Sequence, residues 1–564
     1  MIKSHKDVVL IAVLIMAAVL FVFSLFKNIS YPLIWNDESE TAMFATRVLE
    51  YGYPKVHDGK NMISLAETGA EVSDKRTDAY IGSGACWGHF YFGAIGAYFA
   101  RMVDDIYLKT ALLRIPFALI GFLGLIVISL CAADLFKKDR TKKLLFFALF
   151  AFFELLSVSL VLHLREVRYY SLLIFLSASI SYLYISYRFI KKISFILYTI
   201  AVAILLGMIF NTYTPAYFIF IAAIGLHELL WFLKTGRIKD CFVNIAPLSA
   251  SFLIIVPSLL YFRTFAIAAD AVKFFKPTSA TPWNHAILFL KYFQRYEFLS
   301  VALVVKALLI GIWLYGRRFK LPKLGDMAIK KLQISNYFTL LFICYFIIII
   351  RIPLPVIFQR YFIVLQPVLA MILLLDSFFF FDLAGRINSY GKKIPQVIIF
   401  GFVCIVFLFN GLPKIELIKN HVYELFHQYK GPLDYAIPFI RSTYDHPERL
   451  VIATNYEECS YMYYLGSKVT IGYVGCNLAE DIMIQPDIII IRRKRTRVDR
   501  QVFLSILKKG HYKKISFPIL DYTVNNIPEL PGGVYAVHLY KTPVTQNGER
   551  CLNIYVRQED SRVM

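Results

Sequence analysis

Three short stretches hold the residues of this chain that could do chemistry. Residues 35–40 read WNDESE, just after the first long apolar run, and put Asp37, Glu38 and Glu40 within four positions. Carboxylates beside hydrocarbon are costly when charged, and in such places they usually have a partner or a task. On a helix, Asp37, Glu40 and Thr41 share one face and Glu38 turns to another. Ala42, Phe44, Ala45, Val48 and Leu49 then supply apolar contacts, which describes a helix on the membrane surface displaying Asp37 or Glu38. The plainer reading is an acidic first turn favoured by the helix dipole, with Asn36 as its cap.

The second stretch, HLREVRYYSL (163–172), packs Arg165, Glu166, Arg168, Tyr169 and Tyr170 into a tight turn between apolar runs. The third, RIPLPVIFQRYFIVLQP (351–367), sets Gln359, Arg360 and Tyr361 at the head of another run. An arginine there either snorkels to water or grips a phosphate with paired N–H donors. Residues 263–297 add Arg263, Lys273, Lys276, Lys291 and Arg295 among aromatic residues and Trp283, with Pro277 and Pro282. That tract is long enough to act as a lid. A carboxylate can take a hydroxyl proton. Cations can stabilise charge on a departing phosphate, and aromatic faces suit sugar rings. These are the parts of a reaction between a lipid phosphate donor and a hydroxyl acceptor.

The elements that must position these groups are membrane helices. Of 564 residues, 58% are hydrophobic and 18% charged, with mean hydropathy +0.58. A soluble domain carries about a quarter charged residues. Apolar runs long enough to cross roughly 30 Å of hydrocarbon are expected at about 8–26, 110–135, 144–164, 169–187, 193–210, 214–233, 243–262, 298–315, 336–350, 358–381 and 394–412. The first has no small-residue cleavage pattern after it and reads as a retained span. The tracts 1–7, 136–143, 188–192, 234–239, 316–331 and 382–393 are rich in Lys and Arg, as in FKKDRTKK, and are expected in the cytoplasm. The net charge of +22 has its source there, and no nucleic-acid partner is expected. Residues 87–103 include an apolar run too short to span and are expected to lie along the outer surface or dip in. The expectation is therefore an α-helical polytopic membrane protein of 11 to 13 spans, N-terminus in and C-terminus out, with 27–109 as first outer loop.

After residue 412 the sequence changes character. Strand-like runs at 450–454, 468–474, 487–493, 533–540 and 552–556 alternate with helix-like ones at 457–465 and 500–509. This predicts a small extracytoplasmic α/β domain over 413–564. It carries no GxGxxG or P-loop, so a recognition or packing role is expected of it. Eight cysteines include no CxxC pair. Cys459 and Cys476 are read either as a disulfide or as two buried thiols.

An acidic pair in the first outer loop, an Arg/Glu-rich turn ending in RYYSL and a late RYF…P at the head of a span resemble the GT-C membrane glycosyltransferases. More specifically they resemble the branch that contains protein O-mannosyltransferases and lipid A aminoarabinose transferases, over about residues 1–412. The resemblance implies a polyprenyl-phosphate sugar donor, transfer outside the cytoplasmic (inner) membrane and inversion. It puts the catalytic carboxylate on Asp37 with Glu38 beside it, and a second acidic position on Glu166. Arg360, His89, Arg168 and Arg165 are expected at the donor phosphate, and Tyr169, Tyr361, Lys291 and Arg295 at the substrate. His89, in GHFYF, stands where the branch carries a cation within a K/H-P-P-L-Y-type motif. The motif's two prolines are absent here. The acceptor is a lipid, a glycan or a protein. No cofactor is expected to be required. Some relatives bind a divalent cation, for which Asp37, Glu38 and Glu166 are candidate hard ligands.

The competing readings are a flippase or transporter of lipid-linked sugars and a polysaccharide polymerase or ligase. Transporters tend to carry ionisable residues near the bilayer midplane. Here only a few, such as Glu154, His227 and Asp376, lie mid-span.

Overall fold

The computed structural model describes residues 5–63, 73–82, 86–137, 139–266, 281–318, 325–352, 357–389, 396–470, 484–493, 500–522, 538–548 and 550–558. Lys273, Lys276, Pro277 and Cys476 lie outside the described residues, whereas Cys459 is buried in an apolar cluster.

Long apolar helices form the body: α1 (His5–Phe26), α4 (Ile106–Leu130), α5 (Arg140–Leu156), α6 (Val158–Leu164), α7 (Tyr169–Ile185), α8 (Phe195–Thr212), α9 (Thr214–Thr235) and α10 (Ile238–Tyr261). The helices Leu299–Arg318, Asp326–Ile349, Leu365–Ser389 and Gln396–Phe426 follow. Among the described residues eight helices are long and apolar enough to cross a membrane, or nine if α5 and α6 make one span. The expected spans 298–315 and 394–412 fall on Leu299–Arg318 and Gln396–Phe426, which are not among those nine.

The expected straight span 144–164 is broken. α5 and α6 meet at 79°, because Ser157 ends one helix at φ −84, ψ 84 and its Oγ accepts from Leu160 N at the start of the next. Glu154 lies at that break. The other two mid-span residues are paired: His227 with Tyr184 at 2.6 Å, and Asp376 with Lys306 at 2.7 Å and Ser335 at 2.6 Å.

Two shorter helices precede the bundle's second pass, α2 (Asn36–Tyr51) and α3 (Gly88–Ala100). At about 1.5 Å per residue, α3 is too short for the hydrocarbon core. It packs against α2 and α4.

The basic tracts gather at one end of the bundle. Asp7 meets Thr141 at 2.7 Å and Arg140 at 3.8 Å, and Asp382 takes both Lys142 and Lys331, at 3.1 and 2.6 Å. Lys192 reaches Asp134 at 3.6 Å. The three stretches read as chemical lie at the other end.

The C-terminal region forms a five-stranded sheet in the order β2-β1-β3-β5-β4. β1 (Val451–Thr454) pairs in parallel with β2 (Lys468–Thr470) and β3 (Ile488–Ile490). β5 (Cys551–Arg557) runs antiparallel to β3 and to β4 (Tyr512–Leu520). The helices Glu458–Leu465 and Arg500–Lys509 fall where expected. β4 was not expected. It is an edge strand whose Lys513, Lys514 and Pro518 weaken a strand reading, and the proline sits at a register shift, where edge strands tolerate it. Of the expected run 533–540, residues 538–540 are described and are not strand.

Candidate functional site

α2 carries the acidic stretch. Trp35, in extended backbone, precedes its first turn, so Asn36 is the first helical residue and not the cap. Its end is fixed by Gly52 at φ 80, a left-handed position that glycine takes without strain, whose N–H reaches the Val48 carbonyl at 2.9 Å. The helix separates its three carboxylates as the 3.6-residue period requires.

Asp37 and Glu40, each with about a fifth of the side chain exposed, face one cation pair. Arg360 Nη1 lies 3.2 Å from Asp37 Oδ2, and Arg168 Nη2 lies 4.0 Å from the same oxygen. Arg168 Nη1 also donates to the Asp37 carbonyl at 3.0 Å and to Thr41 Oγ1 at 3.2 Å, and stands 3.9 Å from Glu40. Arg360 projects from a short turn (Gln359–Phe362) and is ringed by Trp35, Phe358 and Tyr361. Asp37, Arg168, Arg360 and Tyr361 are thus brought together from three distant stretches.

Glu38 goes elsewhere. It is fully buried, and Arg114 of α4 holds it with a two-pronged grip, Nε to Oε1 at 2.8 Å and Nη2 to Oε2 at 2.6 Å. Its Oε1 also accepts from the Val167 N–H at 3.0 Å. Arg114 Nη1 in turn donates to the carbonyls of Ile29 and Pro32. Glu38 is therefore a tie between α2, α4 and the 165–168 turn, without a face open to a substrate. Glu166 is also fully buried, with His163 Nδ1 at 3.6 Å. Burial pushes its carboxyl above the ordinary range, against the pull of His163.

Arg165 donates to the carbonyls of Lys27 and Asn28 at 3.2 and 2.8 Å, away from Asp37. Burial lowers its guanidinium to about 10. Lys291 and Arg295 lie on the exposed face of the helix Pro282–Tyr296, and neither joins the cluster.

Beside Arg168 opens a cavity of about 280 Å³, lined by Glu40, His89, Tyr169 and Tyr213 among others. Tyr169 and Tyr213 stack at 4.9 Å and 7°. His89 enters it because Gly88 lets α3 approach the end of α8, where a Cβ would meet Thr212 Oγ1 at 2.5 Å. The imidazole is 4% exposed, and its Nδ1 has no hydrogen-bond partner. Burial and Arg168 hold its pKa well below the usual histidine value, so it offers a neutral ring where a cation was expected.

Sequence reasoning left Glu40 out of the site and did not single out Tyr213 or Arg114. Glu40 shares the Asp37 face, which the helical period already implied. Arg114 is an arginine inside an apolar run, a signal in its own right.

Among the described residues no group of three His, Cys, Asp or Glu side chains could hold a metal ion. Asp37, Glu38 and Glu166 do not form one, because Arg114 occupies Glu38. Deeper in the bundle, an apolar crevice of about 490 Å³ runs between α5 and the helices Leu299–Arg318, Leu365–Ser389 and Gln396–Phe426.

This arrangement, a long-helix bundle with charged turns at one end and a C-terminal sheet, has a counterpart among solved structures. The chain is similar over 93% of its length, and over 97% of the other chain, to the apo structure of ArnT from Cupriavidus metallidurans, with TM-score 0.54 and 13% identity. AglB from Archaeoglobus fulgidus, an oligosaccharyltransferase seen with an inhibitory peptide and a dolichol-phosphate, is matched at TM-score 0.47 and 14% identity, over 83% of this chain and 65% of that one. No protein-family model and no curated protein matches the sequence.

Proposed function

We propose that this chain is a membrane glycosyltransferase that moves a sugar from a polyprenyl-phosphate donor to an acceptor hydroxyl, with inversion, at the outer face of the cytoplasmic membrane. The observation that carries this reading is the meeting of Asp37 with Arg360 and Arg168, beside a cavity walled by stacked tyrosines. Asp37 accepts the acceptor's hydroxyl proton, and the oxygen forms a bond to the anomeric carbon. The bond from that carbon to the phosphate oxygen breaks, its electron pair passes to the phosphate, and the polyprenyl phosphate leaves. Arg360 and Arg168 stabilise the charge that grows on it, as fixed donors in a water-poor site do. The sugar ring rests against Tyr169 and Tyr213 within reach of Glu40 and neutral His89, and the apolar crevice suits a prenyl tail. By the bias of basic loops, the end with Asp7 and Asp382 is cytoplasmic and the C-terminal sheet is outside.

Asp37→Asn keeps the shape of the side chain and removes the base. Transfer from a radiolabelled polyprenyl-phosphate sugar falls by at least about 10²-fold, with the protein still folded and in the membrane. Normal turnover in that variant would sink the assignment. Arg360→Ala raises the donor KM more than the acceptor KM. The reaction is proposed as metal-independent, so transfer after exhaustive chelation stays at its starting rate, and a loss restored by Mg²⁺ or Mn²⁺ refutes this.

A further inference from the structure

Glu154 occupies the last turn of α5, just before the break at Ser157. A helix C-terminus carries partial negative charge and disfavours a carboxylate, and this one has no basic residue in its last turn. Glu154 is 3% exposed, and its Oε1 has no hydrogen-bond partner.

A second buried carboxylate stands beside it. Glu297 Oε1 accepts from Ser157 Oγ at 2.7 Å and from Gln359 Nε2 at 3.1 Å. Glu154, Glu297 and Gln366 line one small cavity of about 10 Å³, walled otherwise by apolar residues. That is room for one water-sized sphere. Gln366 is 3% exposed, and neither its Oε1 nor its Nε2 is hydrogen-bonded. The nearby Lys414 attracts Glu297, but its ammonium is held by the Gln294 carbonyl and by Asn410. When both carboxyls are ionised they set like charges beside a negative helix end in low dielectric, a cost that a bound cation relieves.

We propose that Glu154, Glu297 and Gln366 bind one monovalent metal cation of sodium's size. The ligands are hard oxygens, and the C-terminal end of a broken membrane helix is a recurrent place for such an ion. The site adjoins the apolar crevice, with which it shares Phe153 and Leu373. Through Gln359 it also steadies the turn that carries Arg360. It is independent of the transfer reaction proposed above, and its test needs no activity.

The purified full-length protein in detergent is incubated with ²²Na⁺. Wild type retains one ion per chain, displaced by unlabelled NaCl and not by choline chloride. Its thermal midpoint is higher in NaCl than in choline chloride of equal ionic strength. Glu154→Gln, neutral and of the same shape, loses at least about tenfold in affinity, and its midpoint no longer responds to NaCl. Gln366→Leu keeps both carboxylates and serves if the first variant fails to fold; it shows the same loss. Equal melting in the two salts with no retained ²²Na⁺ overturns the proposal, as does a folded variant that binds like wild type. A midpoint that falls as the pH rises from 6 to 8 without regard to Na⁺ also overturns it, assigning a shared proton to the pair instead.

Discussion

Asp37 and Glu38 are neighbours in sequence and opposites in environment. One residue on a helix turns a side chain by about 100°, enough to send Asp37 to Arg360 and Glu38 to Arg114. The two therefore fail in different ways. Glu38→Gln leaves the buried Arg114 guanidinium without its counter-charge, and breaking such a pair costs about 3–5 kcal/mol. The thermal midpoint of that variant falls well below that of Asp37→Asn; equal midpoints contradict the role given to Glu38. The sequence set an acidic trio beside a membrane, and the helical period placed Asp37 and Glu40 on one face. It could not say which face met the cations. That depends on contacts such as Arg114 to Glu38, between residues 76 positions apart. Neutral His89 is a similar case, because its state is set by burial and by Arg168, which sequence spacing does not encode.

At the scale of elements, the start of α2 is held by the C-terminal region. The Leu33 N–H donates to Asp434 Oδ1 at 3.2 Å, the Ile34 N–H to Tyr464 at 3.1 Å, and Ser460 donates to the Ile34 carbonyl at 3.0 Å. Asp434, at the start of the helix Leu433–Thr443, is buried, and burial raises its carboxyl from the usual 3.8 to about 6 despite N–H bonds from Gly431 and Leu33. The folded protein thus keeps a proton that the unfolded chain releases. The stabilisation is complete below about pH 4 and is lost as the pH rises through about 6, on the order of 3 kcal/mol. Melting midpoints measured from pH 4.5 to 7.5 decline across that window in wild type, and the decline is smaller in Asp434→Asn. Long apolar runs made the bundle helices legible, while the break at Ser157 was not. A serine inside an apolar stretch breaks a helix only where its neighbours supply partners, and here Glu297 does so from 140 residues away.

For the whole molecule, the alternation of basic and neutral loops was the most informative signal, since each charge tract needs only its own composition to be read. Those tracts do meet, through Asp7, Asp134 and Asp382. The docking of the sheet was not legible, because the apolar cluster and the polar contacts that hold it join segments far apart in sequence. Lys60 Nζ donates to the carbonyls of Glu448 and Gly466 at 2.6 and 2.7 Å. Asn61 donates to the Ser467 carbonyl at 2.9 Å and accepts from the Val469 N–H at 2.8 Å. Each neutral bond of this kind contributes about 1 kcal/mol. Asn61→Ala accelerates limited proteolysis of the C-terminal region several-fold while leaving the bundle intact; an unchanged cleavage rate speaks against this anchor.

The Asn61 contact has a further consequence for how the protein is made. β2 is an edge strand, and a bare edge invites pairing with another chain. The Asn61 amide imitates one residue of a neighbouring strand and closes that edge at Ser467 and Val469. The asparagine precedes Val469 by 408 positions. At about 5–20 residues per second, it leaves the ribosome tens of seconds before the strand it covers. Each nascent sheet therefore meets its own cover already synthesised, which favours closure within one chain over pairing between two.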